Sequence, residues 1–176
     1  MRTRDEFPQF LTERGYARVA EVGVLRGEFS SRILAGWSGE LTLIDPWRHL
    51  DGYRDISNGS DEEHERNLEA TQQAVAGYAG VTLQRAMSIE AAEGYEDGYF
   101  DCVYIDANHS YTAALADIKA WWPKVRSGGA LAGHDFLDGE LMEGSFGVRR
   151  AVLEFFGREP DIVTQEKWPS WVVLKP

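Results

Sequence analysis

One cysteine, Cys102, stands in 176 residues, so no disulfide can close within the chain, and that scarcity fits a reducing compartment. Positive charge is also sparse. Eighteen Lys and Arg against 29 Asp and Glu leave a formal net charge of −11. Nucleic-acid backbones are held by clustered Lys and Arg, and here those residues are scattered, so no nucleic-acid partner is expected. Nowhere do about 18 apolar residues run together, and the opening Met-Arg-Thr-Arg-Asp-Glu-Phe-Pro has no apolar stretch. Neither a membrane span nor an export signal is expected, which points to the cytoplasm. What the chain does have is core material. Apolar residues make up 43%, with six Trp and eight Phe, enough for one globular domain.

Runs rich in Val, Ile and Leu alternate with segments of helical period. That alternation predicts an α/β fold: a Rossmann-like doubly wound sheet of seven strands, mostly parallel, with an antiparallel C-terminal hairpin strand. A single domain is expected over 1–176, with an N-terminal helix in 1–16 and the core in 17–176. Strands are predicted at 18–24, 41–44, 81–85, 100–105, 130–133, 162–165 and 171–174. Helices are predicted at 28–37, 61–78 (Ser60 or Asp61 as N-cap), 89–93, 111–122 and 148–156. Gly128-Gly129 reads as the turn into the fifth strand. Residues 49–60 and 138–147 are polar and contain glycine, so both read as loops, the second as a mobile one.

The segment Ala20-Glu21-Val22-Gly23-Val24-Leu25-Arg26-Gly27 falls where the first strand meets its helix, beside the point at which doubly wound sheets bind ligands. Gly23 permits a sharp turn, and Gly27 permits close approach to the helix N-terminus. A dinucleotide would want a third glycine around its pyrophosphate, which is missing, and Glu21 would repel phosphates. S-adenosylmethionine (SAM) instead carries a sulfonium and an ammonium, which a carboxylate attracts. Asp45, about 20 residues beyond the glycine turn, is placed to take ribose hydroxyls, or else to cap the turn ahead of Pro46. Trp47 could flank the adenine or pack in the core.

Two further stretches bear on chemistry: Phe100-Asp101-Cys102-Val103-Tyr104-Ile105-Asp106-Ala107-Asn108-His109-Ser110-Tyr111 and Ser127-Gly128-Gly129-Ala130-Leu131-Ala132-Gly133-His134-Asp135-Phe136. Together they resemble the class I SAM-dependent methyltransferases, in the branch of small stand-alone enzymes similar to metal-dependent O-methyltransferases of macrolide-sugar and cephalosporin pathways. Asp45-Pro46-Trp47 and Met87-Ser88-Ile89-Glu90 fall in the order this branch has, so the resemblance runs through nearly the whole chain. It implies Met87 and Ser88 near the adenine, with Ser88 hydrogen-bonded to it.

Asp106 and Asp135 end neighbouring strands, so both face one crevice and could hold Mg²⁺ or a similar cation. His109, whose ordinary pKa is close to neutrality, suits a general base. The resemblance implies the same roles: Asp106 and Asp135 as metal ligands, and His109 as base. One departure stands out. The branch usually has a second acid before the strand-five Asp, and here that residue is His134. Imidazole favours Mn²⁺, Fe²⁺ or Zn²⁺ over Mg²⁺. Helix capping is the structural alternative for Asp106, and solvent exposure is expected of His49 and His64.

The expected activity is methyl transfer from SAM to a hydroxyl of a sugar or other small molecule, with metal assistance left open. A non-catalytic nucleoside-binding module and an NAD-dependent oxidoreductase are the alternatives. A homo-oligomer is compatible with the sequence, which does not rank the surfaces that would pair.

Overall fold

The computed structural model describes residues 1–176. After a 3₁₀ turn at Arg4–Glu6, the elements in chain order are α1 (Phe7–Glu13), β1 (Arg18–Val22), α2 (Glu28–Gly36), β2 (Glu40–Asp45) and α3 (Asp61–Val75). Next come β3 (Val81–Arg85), α4 (Ser88–Glu93), β4 (Phe100–Ile105), α5 (Tyr111–Trp121) and β5 (Val125–Gly133). The chain ends with β6 (Asp138–Glu140), β7 (Ser145–Gly147), α6 (Val148–Phe156), β8 (Ile162–Val163) and β9 (Trp171–Leu174).

Seven strands form one sheet in the order β3-β2-β1-β4-β5-β9-β8. All are parallel through β5; β9 alone runs against its neighbours. The expected Rossmann-like architecture is therefore present. From β1 the chain moves outward to β2 and β3, then crosses back to β4 on the other side. The loops leaving β1 and β4 consequently diverge, and a crevice opens between them at the carboxyl ends.

Both sheet faces are covered, which explains the continuous apolar strands. All six residues of β4 are buried. Cys102 and Tyr104 face the layer of α1 and α2, whereas Val103 and Ile105 face the layer of α5 and α6. Each large apolar side chain buried this way contributes about 1.5–3 kcal/mol. On α2, Phe29, Ile33 and Leu34 form the buried stripe, as their i, i+4, i+5 spacing requires. α3 starts with a reciprocal cap: Ser60 Oγ accepts from the Glu63 N–H, and the Glu63 carboxylate accepts from the Ser60 N–H.

Several boundaries depart from expectation. β1 stops at Val22, because Gly23 already has φ +88°. Gly128 and Gly129 lie inside β5, where pairing with β4 shifts register between Phe100 and Cys102, so they make an irregularity within the strand and not a turn before it. Residues 138–147 are no unstructured loop. They form the antiparallel hairpin of β6 and β7. β8 is shorter than predicted, at Ile162–Val163, and α3 ends at Val75. No helix is long and apolar enough to cross a membrane.

Candidate active site

The turn after β1 is wedged against β4. The Gly23 N–H donates to Ile44 O at 2.8 Å, and the Asp106 N–H donates to Val22 O at 2.7 Å. A Cβ on Gly23 would collide with the backbone of Asp106 and Ala107. Only glycine fits there, both by space and by its positive φ. Gly27, at φ +73°, is the N-cap of α2 and packs against Thr71 of α3.

Above this turn lies a cavity of about 320 Å³, within the ordinary small-molecule range of about 300–1,000 Å³. Of the expected cofactor residues, Glu21, Gly23, Asp45, Ser88 and Asp106 line it, and so does His109. Gly27, Met87 and Trp47 do not. Gly27 shapes the turn from behind, and Met87 is the N-cap of α4. Trp47, expected beside the adenine or in the core, is fully buried in the core, with its Nε1 donating to Leu25 O at 2.9 Å. Ser88 lines the wall, but its hydroxyl is engaged on the far side. It donates to Asp117 Oδ1 at 2.5 Å and accepts from Trp121 Nε1 at 2.9 Å.

Asp45 organises the turn. Its Oδ2 accepts from the Val24 and Leu25 amides at 2.9 and 3.0 Å, and its Oδ1 accepts from the Trp47 amide at 2.7 Å. Glu21 is 1% exposed, receives a 2.6 Å bond from Ser30 Oγ, and has its pKa pushed up to about 8 by burial. Sequence reasoning did not select Arg4. Its guanidinium lies 3.7 Å from the centre of the Phe29 ring and bonds Asp106 Oδ2 at 2.6 Å, while its Nε is buried without a partner.

At the ends of β4 and β5 the predicted acids and histidines do meet. His109 Nε2 lies 3.0 Å from Asp135 Oδ2 and 3.4 Å from Asp106 Oδ1. His134 Nδ1 lies 3.1 Å from Asp135 Oδ1 and 3.8 Å from Asp106 Oδ1. Phe146 of β7 stacks on the His109 ring at 5.1 Å. A third carboxylate comes from the 49–60 loop: Asp55 Oδ2 is 3.2 Å from His109 Nδ1. The Asp55 backbone bridges to Gly144, and the Ile56 N–H donates to Glu143 O at 3.0 Å, so this loop and the β6–β7 hairpin join into one roof. Tyr53 also reaches His109 Nδ1, at 3.4 Å.

Electrostatics moves His109 away from the ordinary imidazole range. Burial opposes its charge, yet bonds and charges from Asp106, Asp55 and Asp135 prevail and hold its pKa up at about 10. At neutral pH the ring is an imidazolium. Burial likewise disfavours charge on Asp106, but Arg4, His109 and His134 outweigh that and keep it ionised, far below the usual carboxylate range. Asp55 falls to about 2: burial is overcome by bonds from His109 and Ser57.

His64 corrects an expectation. Expected in solvent, it is 7% exposed and lines the cavity. The polar stretch around it hid that position, since only its place on the inner side of α3's first turn buries it. Tyr53 and Asp55, in a loop without periodicity, gave no signal either.

Residues 20–136, from β1 to just past β5, match the family model described as a methyltransferase domain. No curated protein matches the sequence. Among solved structures, a protein of Corynebacterium glutamicum superposes with a TM-score of 0.63 at 22% identity, over 96% of this chain and 80% of that one. The N-methyltransferase NodS of Bradyrhizobium japonicum, bound to S-adenosylhomocysteine (SAH), gives 0.70 at 13%, over 98% and 86%. TomG of Streptomyces achromogenes, an O-methyltransferase of tomaymycin synthesis bound to SAM, gives 0.70 at 15%, over 98% and 79%. These likenesses concern the fold. The family match spans the strands whose carboxyl ends face the cavity, and by it the chain belongs to the methyltransferase-domain family.

Proposed function

We propose that this methyltransferase moves the sulfonium methyl of SAM onto a hydroxyl oxygen of a small molecule, with sugars among the acceptors. The observation that carries this is the cluster of Asp106, His109, His134 and Asp135, which continues the cofactor cavity at the ends of β4 and β5. In methyl transfer the C–S bond breaks as the O–C bond forms, sulfur keeps its electron pair, and the hydroxyl must lose a proton. A neutral amine needs no cation to become nucleophilic, whereas a hydroxyl gains from one. The solved neighbours include both an N- and an O-methyltransferase, so fold likeness supports either atom. The acid-rich cluster favours oxygen.

Asp106, His134 and Asp135 set two carboxylates and one imidazole within 4.8 Å of one another. That donor set fits a divalent cation, Mn²⁺ ahead of Mg²⁺ because of the imidazole. A cation held there would supply positive charge that lowers the pKa of a neighbouring hydroxyl. Arg4 bonds Oδ2 of Asp106, which leaves Oδ1 on the His134 side. His109 is held by Asp55 through Nδ1 and by Asp135 through Nε2; a cation held by Asp106, His134 and Asp135 would compete for the carboxylates that keep the ring protonated, and the neutral ring could then accept the hydroxyl's proton at Nε2.

For the cofactor, this reading puts the adenine near Ala86 and Ser88, the ribose at Asp45 and the ammonium at Glu21, all of which line the cavity. The Arg4 guanidinium, with Nε unpartnered, suits the carboxylate. An arriving ammonium favours the ionised form of Glu21, opposing the burial that raises its pKa. The net charge of −11 weighs against a nucleic-acid acceptor.

The test is calorimetric titration with SAM and SAH in Mg²⁺, Mn²⁺ or EDTA, followed by mass spectrometry of hydroxyl, catechol and amine acceptors. Micromolar binding and methylation at oxygen are expected. Absence of heat with both nucleosides in every condition would overturn the proposal, as would methylation confined to amines.

A further inference from the structure

The roof over His109 is built around one carboxylate. The Asp55 side chain is only 6% exposed, and its two oxygens face different partners. Oδ1 accepts twice from Ser57, from the amide at 2.8 Å and from Oγ at 2.6 Å. Oδ2 is left to face His109 Nδ1 at 3.2 Å. The Tyr53 hydroxyl lies 3.4 Å from the same nitrogen, but it donates its proton to Ala107 O, so it too presents an acceptor to the ring. Nδ1 meets only acceptors on this side and keeps its proton. Nε2, across the ring, lies 3.0 Å from Asp135 Oδ2 and 3.4 Å from Asp106 Oδ1, where β4 and β5 end.

The β6–β7 hairpin fixes the same residue. Phe146 stacks on the ring at an interplanar angle of 13°, and the Gly147 amide donates to His109 O at 2.8 Å. Gly144 leaves room for the carboxylate: a Cβ there would come within 2.8 Å of Arg54 O and 3.1 Å of Asp55 Oδ2. We propose that Asp55 is a positioning residue for methyl transfer, holding a proton on His109 Nδ1 so that Nε2 is the nitrogen left to take the proton of the acceptor hydroxyl. This rests on the methyl-transfer reading and deepens it, because it makes the roof a determinant of rate as well as of which acceptor fits.

D55N separates this role from one in shape. Asn has the size of Asp, but the Ser57 amide can only donate, so it holds the Asn oxygen and turns the NH2 group toward Nδ1. Nδ1 must then accept, and the ring proton moves to Nε2. After thermal melts establish folding, kcat and KM are measured for wild type, D55N, D55A, G144A and D55N/G144A with the best hydroxyl acceptor from a panel of catechol and hexoses. SAH affinity is followed by calorimetry, and the imidazole N–H signals of metal-free protein by ¹⁵N NMR, that of His109 being assigned by its absence in H109Q. D55N should lower kcat by about 10²–10⁴, with KM and SAH affinity within about threefold of wild type. D55A, which forces no donor onto Nδ1, should lose less; a role in shape alone would rank Asn above Ala. G144A should slow the wild type and add little to D55N. Wild type should show a slowly exchanging His109 Nδ1–H that D55N lacks. Absence of that signal from wild type, or a D55N rate equal to wild type or above D55A, overturns the Asp55 assignment and leaves methyl transfer standing. If wild type binds SAH but methylates no hydroxyl in the panel, the transfer to oxygen has failed, and the Asp55 role falls with it whatever the NMR shows.

Discussion

Replacing Asp117 by Asn should change how stability depends on pH, by an amount the burial of this group fixes. Asp117 sits on α5, 5% exposed, with the Ser88 hydroxyl as donor to its Oδ1. Burial raises its pKa from 3.8 to about 7, against the smaller lowering effect of that bond. A carboxyl raised in the folded state stabilises fully below its unfolded pKa, and that contribution is lost as pH climbs through the folded pKa. Between about pH 4 and 7 the unfolded chain has released the proton and the folded chain has not, so stability falls by about 1.4 kcal/mol per pH unit. The accumulated loss is about 4 kcal/mol above pH 7. Asn cannot ionise, so D117N should lack this slope. Any cost of housing the amide N–H groups shifts its curve by a constant and leaves the slope difference intact. Urea unfolding of both proteins at intervals from about pH 4.5 to 8.5 reads the difference directly. Parallel curves across that range would refute the argument that Asp117 is buried and protonated.

Three other substitutions test the site. His109→Ala should leave SAH affinity within about threefold of wild type and lower kcat by about 10²–10⁴; an unchanged kcat with an identified acceptor removes His109 from the chemistry. Gly23→Ala should abolish measurable SAH binding and lower the melting temperature, because its Cβ meets the Asp106 and Ala107 backbone at φ +88°. Binding at wild-type strength would mean that the turn can relax. Asp135→Asn should weaken Mn²⁺ binding, followed by calorimetry, with little change in SAH affinity; activity untouched by both this change and EDTA excludes a metal role for the cluster.

The sheet was legible because its signal is strong. Phe100–Ile105 is buried on both faces, and such strands read as unbroken apolar runs. Asp106, His109, His134 and Asp135 were legible for a topological reason: residues just past adjacent parallel strands are bound to meet. The β6–β7 hairpin was not, since Asp138-Gly139-Glu140 and Ser145-Phe146-Gly147 are too short and too polar to show an alternation, Phe146 being their one apolar side chain. Arg4 and Asp55 were invisible for a related reason. Each enters the site from a segment whose pattern says only that it is polar, and long-range folding alone brings it there. The raised pKa of His109 was not legible, because a residue's ordinary value says nothing of three carboxylates contributed by three separate segments.

One residue couples two jobs usually kept apart. Asp55 bonds the imidazole of His109 and, through its backbone, ties the 49–60 segment to Gly144. An insertion or deletion in either segment would therefore displace the carboxylate along with the roof over His109. Grafting only one of the two from a relative would import half of a matched pair, so new specificities should arise by exchanging both together.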